Sequence, residues 1–324
     1  MAFSYDNLKL DKGMYQEAGR SFSQVLERQD PSEQYKGTSL EGLDAFQRQL
    51  KRFDIKVKGA GSDVVEKFFR TADSAVLFPE YIARSVRQGM EEGDILPHIT
   101  AAVTRFDGMD YRSITAEAGG DSKQLRHVEE GAAIPATTIQ VQSNLVKLRK
   151  RGRMLVATLR QIGAHIARAQ LEDAVDVLKN GDGNGNAASV FTTAAQGKLT
   201  YDDLVDFWAK FDPYEMNALL VSGDVMVKLL KLSELQNPLT GLNFQGTGKL
   251  TTPLGANLLR TSVLPAGTAI GLDKRFALEM VQGSDVTVEY DKLIDRQLER
   301  AAVTTISGFA KVFKDASRVL EVKK

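Results

Sequence analysis

Residues 179–186 read Lys-Asn-Gly-Asp-Gly-Asn-Gly-Asn and place carboxylate and amide oxygens at alternate positions. Alternating oxygen ligands with glycine are typical of the twelve-residue calcium loop, which also needs a bidentate glutamate at its last position. Counting from Asn180 ends at Phe191, and counting from Asp182 ends at Thr193. Because neither frame supplies the closing glutamate, the stretch predicts a glycine-rich turn that ends a helix and no metal site.

A phosphate-binding loop is the second chemistry to test. Residues 246–249, Gly-Thr-Gly-Lys, are similar to part of a P-loop. However, Asn243 stands where the first glycine of that motif belongs, and Leu250 stands where its magnesium-binding hydroxyl belongs. A flexible glycine-rich surface loop is therefore predicted instead.

The remaining candidates for catalysis do not converge on one point. Adjacent acidic pairs occur at Glu129–Glu130 and Asp202–Asp203, and the two side chains of each pair diverge on a strand or a helix. The second pair is typical of a helix start, which favours negative charge. The three histidines are far apart and match no catalytic spacing: His98, His127 and His165. We predict no catalytic, cofactor-binding or metal residue, and no enzyme.

Composition excludes several classes of protein. The chain has 324 residues, which predicts two lobes or one lobe with insertions. Its 42 basic and 42 acidic residues cancel, so it lacks the basic footprint of a dedicated nucleic-acid binder. It has no cysteine, which excludes disulfides and thiolate sites. Neither a signal peptide nor an apolar run of about 18 residues is present, so we expect synthesis in a cytoplasm and no membrane contact.

Residues 1–72 carry apolar residues at helical spacing. Thr38 with Glu41 is typical of a capping box before a second helix. Because these helices show no evident core of their own, they predict an arm that packs on something else. The alternative is a small helical subdomain that packs on its own chain.

The middle of the chain changes character several times. Pro79 predicts a helix over about 80–92, followed by a short strand over about 98–103. Residues 104–138 predict a long protruding loop, and alternation over 111–114 and 138–141 allows a two-stranded hairpin. Strand signals dominate 139–156, where the basic stretch 147–153 is either a solvated strand face or an interface with an acidic partner. A strong helix follows, with a buried stripe at Ala164, Ala167, Leu171, Ala174 and Leu178.

The second half predicts helices and strands in alternation. Helices are expected over 201–210 and 223–232, the second of them capped by Ser222. A buried strand is expected over 218–221. Further strands are expected over 257–263, 268–272, 276–281 and 286–290, with two more between 300 and 322 and turns at 264–267 and 282–285.

The order of these elements resembles the major capsid proteins of tailed phages, which have the Hong Kong 97-type fold. The phrases that carry the resemblance are Pro79-Glu80 at a helix start, Glu130-Gly131-Ala132-Ala133-Ile134-Pro135, Asn180-Gly181-Asp182-Gly183-Asn184-Gly185, the strand and helix of 217–232, and Leu264-Pro265-Ala266-Gly267-Thr268. They span roughly residues 74–324.

The resemblance implies an α+β fold built from peripheral and axial domains. The implied divisions are a helical N-terminal arm at 1–73, the start of the peripheral domain at 74–103, an extended loop at 104–138, the peripheral domain at 139–200 with its spine helix at about 158–179, and the axial domain with returning peripheral strands at 201–324. Some members cross-link a loop lysine to a neighbouring subunit, and Lys123 is the single lysine of this loop.

The implied function is that of a virion protein. It would self-assemble as hexamers and pentamers into the icosahedral head that encloses double-stranded DNA. Its implied partners are its own copies, a scaffolding protein and a portal protein, with non-specific contact to packaged DNA. An encapsulin-like compartment shell is the alternative, and a hydrolase with an unrecognised site is the alternative from another class.

Overall fold

The computed structural model describes residues 8–17, 20–56, 67–105, 114–118, 121–125, 137–144, 152–236, 254–293 and 298–323. Helices and strands are mixed throughout, which confirms the α+β class. Some predicted features lie outside the described residues: 246–249, Glu129–Glu130, His127 and residues 147–151 of the basic stretch.

The helices and strands follow one another along the whole chain. The α-helices are α1 Phe22–Gln29, α2 Ala45–Arg52, α3 Ala72–Val76, α4 Phe78–Glu91, α5 Gly152–Asn180, α6 Tyr201–Ala209, α7 Gly223–Leu230 and α8 Ser233–Gln236. The strands are β1 Val103–Arg105, β2 Ile114–Ala118, β3 Asp121–Leu125, β4 Thr137–Asn144, β5 Ser189–Thr192, β6 Ala218–Val221, β7 Asn257–Arg260, β8 Thr268–Leu272, β9 Leu278–Leu293, β10 Leu298–Lys311 and β11 Ser317–Glu321. Single 3₁₀ turns occur at Lys12–Tyr15, Ser32–Tyr35, Leu96–His98 and Lys314–Ala316.

The described residues divide into two compact units. The first unit draws on Met1–Gly93, Thr138–Ile166 and Asp285–Thr305, and the second on Asp94–Thr137, Ala167–Ser284 and Ile306–Lys324. Each unit therefore takes part of α5, β9 and β10. These units are not the peripheral and axial domains of the resemblance, which stay predictions together with their boundaries.

The N-terminal helices of the first unit share one hydrophobic core with α4 and the first half of α5. Buried side chains of α1 and α2, such as Leu26 and Phe46, belong to the same cluster as Ile82, Val86 and Ile162. Of the two interpretations of residues 1–72, packing on the chain itself is the one that the described residues display. Contact between this segment and a neighbouring subunit stays a prediction.

Polar contacts also hold the N-terminal segment to α4. Glu80 is buried, and its Oε1 accepts hydrogen bonds from Ser23 Oγ at 2.8 Å and from Arg84 Nε at 2.9 Å. The same guanidinium donates from Nη1 to Asp44 Oδ2 at 2.7 Å. Tyr15 Oη donates to the carbonyl of Val76 at 2.7 Å. Charge-assisted bonds of this kind fix the register of the segment on α4.

A close approach of backbones joins α4 and α5. A Cβ atom at Gly163 would collide with the carbonyl of Val86 and lie 2.7 Å from the nitrogen of Met90. A Cβ atom at Gly89 would lie 2.6 Å from Cα of Arg160. Glycine lowers the stability of a helix, but at these two positions it allows the two backbones to approach this closely.

The second unit contains a five-stranded sheet in the order β5-β11-β8-β6-β7. Strand β11 is parallel to β5 and antiparallel to β8, and β6 is antiparallel to β8 and parallel to β7. Side chains alternate between its two faces. Leu220 and Ile270 join a core with Leu171 and Leu178 of α5, whereas Leu219 and Val221 join a core with α6 and α7. The sheet is therefore covered on both sides by helices.

Two further sheets complete the fold. A four-stranded sheet has the order β1-β9-β10-β4. Strands β2 and β3 form an antiparallel hairpin, in which Ile114 pairs with Leu125 and Ala118 pairs with Asp121. A hairpin is thus present within 104–138, but its strands differ from the predicted segments, because residues 138–141 lie in β4, which borders β10 in the four-stranded sheet.

Several boundaries differ from the sequence predictions. The strand predicted over 98–103 is wrong for its first part, because residues 96–98 form a 3₁₀ turn and β1 begins at Val103. The strand predicted up to residue 156 is wrong from 152 onward, where α5 begins. Strands predicted at 276–281 and 286–290 are one continuous strand, β9, so the turn predicted at 282–285 is wrong.

Two predicted helix starts also need correction. Thr38 and Glu41 form a hydrogen-bonded turn, and α2 begins later, at Ala45, with a capping box of Asp44 and Gln47. Ser222 precedes α7, but its hydroxyl binds the Asp224 carboxylate at 2.8 Å instead of capping the helix. Hydroxyl and carboxylate groups compete for the same local donors, and the sequence does not rank them.

The long helix α5 confirms the predicted helix and extends it at its start. Four of the five residues in the predicted stripe are buried, whereas Ala164 is exposed. Among the described residues, no helix is both long enough and apolar enough to cross a membrane.

Candidate functional site

The stretch that suggested a calcium loop ends α5 and is held by its own side chains. Asp182 Oδ1 accepts from the amide nitrogen of Asn184 at 2.9 Å, and Oδ2 accepts from the backbone nitrogen of Lys311 at 3.0 Å. Asn186 Oδ1 accepts from the backbone nitrogen of Asp182 at 3.0 Å. The oxygens that alternate along the sequence therefore serve backbone and amide donors of the protein. No group of three or more side chains that could hold a metal occurs among the described residues.

Glycine is required where the helix ends. Gly181 has φ +84°, a left-handed conformation that favours glycine, and its nitrogen donates to the carbonyl of Val177 at 2.9 Å. A Cβ atom there would collide with Asn186 Oδ1 and lie 2.9 Å from the nitrogen of Ala187. The loop is thus a helix terminator that turns the chain toward β5.

A buried lysine lies directly against this helix end. Lys311 is 2% exposed, and its Nζ donates to the carbonyl of Leu178 at 3.0 Å. Ser317 Oγ donates to the same carbonyl at 3.4 Å. Burial lowers the pKa of Lys311 to about 8, against the opposing influence of Asp182 and Asp315. A cation at the C-terminus of a helix is favourable, but here it is removed from water.

We predict that the contribution of Lys311 to the stability of the protein rises with pH between about 8 and 10.5. In this window the unfolded chain still binds a proton on Lys311, whereas the folded chain has released it. Lys311→Met should remove this dependence, which amounts to about 3 kcal/mol over the whole window. The measurement is urea unfolding of both proteins at pH 7, 8, 9 and 10.

The control for this prediction is Lys198→Met, because Lys198 is exposed and is not among the charges that shift the pKa of Lys311. That variant should keep the pH dependence of the wild type. Parallel pH curves for wild type and Lys311→Met would contradict the prediction.

A buried carboxylate, that of Asp273, organises the turn between β8 and β9. Asp273 accepts hydrogen bonds from the backbone nitrogen of Glu215 at 3.1 Å, from Asn217 Nδ2 at 2.9 Å and from Arg275 Nε at 3.0 Å. Burial alone would raise the pKa of Asp273, but Arg275 and the backbone donors outweigh it and lower the pKa. These hydrogen bonds tie residues 215 and 217 to the turn at Arg275, so this carboxylate has a structural role.

The remaining candidates stay apart from each other. His98 and His165 are exposed. Asp202 is exposed at the start of α6, while Asp203 is buried and accepts from Thr200 and from the nitrogen of Ala194. Burial would raise the pKa of Asp203, but these hydrogen bonds lower it. The prediction of a helix start at this acidic pair is confirmed.

The loop lysine proposed for cross-linking lies on the hairpin. Lys123 is in β3 opposite Ala116 of β2, and its side chain is outside the described residues. Its cross-linking stays a prediction.

Some structurally decisive residues carry signals that sequence reasoning missed. Alternation along β10 buries Val303, Thr305, Ser307, Phe309 and Lys311 on one face, so period-two counting alone would have placed the lysine inside. In contrast, no local pattern pairs Asp273 with Asn217.

Solved structures of a virus-like particle and of a capsid are similar to this chain. The sequence matches no protein-family model and no curated protein. The virus-like particle from Pyrococcus furiosus matches over 75% of this chain and 99% of its own, with a TM-score of 0.54 and 15% identity. The capsid of an empty GTA particle matches over 71% of this chain and 96% of its own, with a TM-score of 0.50 and 13% identity. This chain has the Hong Kong 97-type capsid fold.

The capsid fold accounts for the arrangement of the elements found here. A long spine helix and an extended, hairpin-like loop are what the resemblance implied, and the solved structures confirm the fold at low sequence identity. The similarity shows the fold alone. One fold hosts many functions, so the function has to be argued from the residues of the site. Here the described residues present buried structural networks in place of a cluster of reactive groups.

Proposed function

We propose that this chain is a major capsid protein that self-assembles as hexamers and pentamers into the icosahedral head shell around a double-stranded DNA genome. The observation that carries the proposal is the capsid fold, shared over most of the chain with subunits of a virus-like particle and a capsid. The chain acts by assembly and not by catalysis. Its net charge of zero suits a shell that encloses DNA without gripping it.

Assembly in a host cytoplasm with a scaffolding protein and a portal protein completes the proposal. The test is to express the chain alone and with a candidate scaffolding protein, followed by sizing chromatography and negative-stain microscopy. Shells, tubes or capsomers are expected. Monomers under every condition would overturn the proposal, and particles that enclose an enzyme in place of DNA would favour a compartment shell.

Deletion of residues 108–130 is expected to leave a folded subunit that assembles poorly. Among the described strands, β2 and β3 pair with each other and with neither larger sheet, so their loss breaks no ladder of those sheets. An element of this kind stabilises an assembly when it lies on a neighbouring subunit. A short Gly-Ser linker should replace the deleted residues.

Circular dichroism and thermal unfolding of the deletion variant are the control, and both should match the wild type. Particle yield is measured by sedimentation. Unchanged yield would contradict the assignment of this segment as the extended loop.

A further inference from the structure

Helices α6 and α7 lie on the same face of the five-stranded sheet. Leu204 and Phe207 of α6 share a buried core with Val225 and Leu229 of α7, and Leu219 of the sheet belongs to it as well. The opposite face of the sheet packs on α5. The outward sides of α6 and α7 are therefore both available at the surface of the second unit.

Helix α6 covers the central strand β8 as well as one edge, because a Cβ atom at Gly271 of β8 would lie 2.7 Å from the ring of Phe207. The ring of Phe207 in α6 lies 5.8 Å from the ring of Phe191 in β5, which is one edge strand. A Cβ atom at Gly223, the first residue of α7, would lie 3.7 Å from Nε of Arg260 in β7, which is the other edge strand. The outward surfaces of α6 and α7 are thus two distinct surfaces on the same face of the sheet.

The surface of α6 combines an aromatic anchor with acidic charge. Trp208 is the single tryptophan of the chain and is 45% exposed. Asp202 and Asp206 are exposed one helical turn apart, and they are the exposed charged residues of this helix. Exposed tryptophan is typical of the centre of a protein interface.

The surface of α7 is apolar and basic. Val227 is 50% exposed and Leu230 is 40% exposed, and they lie on one side of the helix at a spacing of three. Lys228 and Lys231 are next to them in the sequence. Asp224, the other charged residue of α7, already accepts hydrogen bonds from Ser222 and from the nitrogen of Gly267.

Other exposed apolar side chains have a different local setting. Phe276 packs in an aromatic cluster, 5.9 Å from Tyr214 and 6.1 Å from Phe313 between ring centroids. Val103 and Val190 are single residues on the edge strands β1 and β5. Among the side chains that the structure describes, Trp208 and the pair on α7 are therefore the large exposed apolar groups on helices.

We propose that the α6 surface of one copy binds the α7 surface of the next copy, with Trp208 against Val227 and Leu230 and with Asp202 and Asp206 facing Lys228 and Lys231. This inference rests on the proposed function and names a contact between neighbouring copies. Pairing α6 with α7 brings acidic residues against basic ones, whereas pairing α6 with α6 of the next copy would bring acidic residues against each other, which is repulsive.

Cysteine cross-linking tests the pairing directly, because the chain has no cysteine of its own. Asp206→Cys and Lys231→Cys are prepared as separate proteins, assembled alone or as an equal mixture, and oxidised. The mixture should yield cross-linked dimers at least about tenfold above either protein alone. Cross-linking of Asp206→Cys with itself would show a two-fold contact and overturn the proposal, as would equal yields in all three samples.

Fluorescence and a charge swap give independent readouts. Emission of Trp208 should shift to shorter wavelength when the wild type assembles. Trp208→Ala should raise the protein concentration needed for assembly by at least about tenfold, whereas Val190→Ala should not change it. Asp206→Lys should impair assembly, and Lys231→Asp on the same chain should restore it.

The results separate this inference from the proposed function. A wild type that never assembles contradicts the proposed function. A wild type that assembles without the fluorescence shift, together with a Trp208→Ala variant that assembles at the same concentration, contradicts this interface and leaves the shell function standing. Circular dichroism of each variant verifies that the subunit is folded.

Discussion

Gly163→Ala is expected to lower the free energy of unfolding by about 3 kcal/mol, although alanine is the better helix former. A methyl group at this position would collide with the carbonyl of Val86 and press on the nitrogen of Met90, both of them backbone atoms of α4. Backbone atoms inside a helix cannot move aside as a flexible side chain can. The two helices must therefore separate, which opens the core that contains Ile82 and Ile162.

Urea unfolding measures this loss, and two variants define it. Gly89→Ala should have a similar effect, because its methyl group would meet Arg160 of α5 at the same crossing. The effects of the two substitutions should not add, since they open one contact. Gly93→Ala is the matched control, as nothing lies within 4 Å of its Cβ position. Stabilisation of Gly163→Ala by about 1 kcal/mol, as helix propensity alone predicts, would show that the helices do not touch there.

The second large effect is expected from Asp30→Ala, at about 3 to 5 kcal/mol. Asp30 and Arg48 are both fully buried, and Arg48 Nε donates to Asp30 Oδ2 at 3.1 Å. Tyr35 Oη donates to the other carboxylate oxygen at 2.7 Å, and its ring lies 4.4 Å from the guanidinium carbon of Arg48. Without Asp30 the guanidinium would keep Glu27 as a partly exposed partner at 3.5 Å and lose its buried one.

The double variant Asp30→Ala with Arg48→Met distinguishes charge burial from packing. Removing both charges leaves no unpaired ion, so the double variant should be more stable than Asp30→Ala alone. Glu17→Gln is the control, because the pair of Glu17 with Arg20 is exposed and should contribute less than about 1 kcal/mol. Thermal unfolding of all three variants gives the comparison. A loss for Asp30→Ala no larger than that for Glu17→Gln would contradict this account.

The pair of Asp30 and Arg48 lies within residues 1–72, where sequence reasoning left two interpretations open. An amphipathic pattern predicts that a helix buries one face, but it does not predict which part of the molecule covers that face. The capping signals show the same limit. Thr38 and Glu41 match the motif, but Asp44 and Gln47 match it as well and are the residues that start α2.

The strands show where local patterns succeed and where they fail. Ala218–Val221 and Thr268–Leu272 begin and end where the sequence predicts, because both are short apolar runs between strong turn signals. The glycine and aspartate at 283 and 285 predict a turn, yet β9 runs through them. Pairing with a neighbouring strand outweighs the local preference for a turn, and that pairing is not visible in a single segment.

The sequence by itself determined the α+β class, the positions of most helices and strands, the glycine turn that ends α5 and the resemblance to a capsid fold. These follow from periodicity and turn chemistry, which act between residues close along the chain. The tertiary structure alone decided the partners. It placed Lys311 against Leu178, Gly163 against α4, Arg48 beside Asp30, and α6 and α7 on one face of one sheet. Such contacts join residues far apart in sequence, and they arise only when the chain closes around a common core.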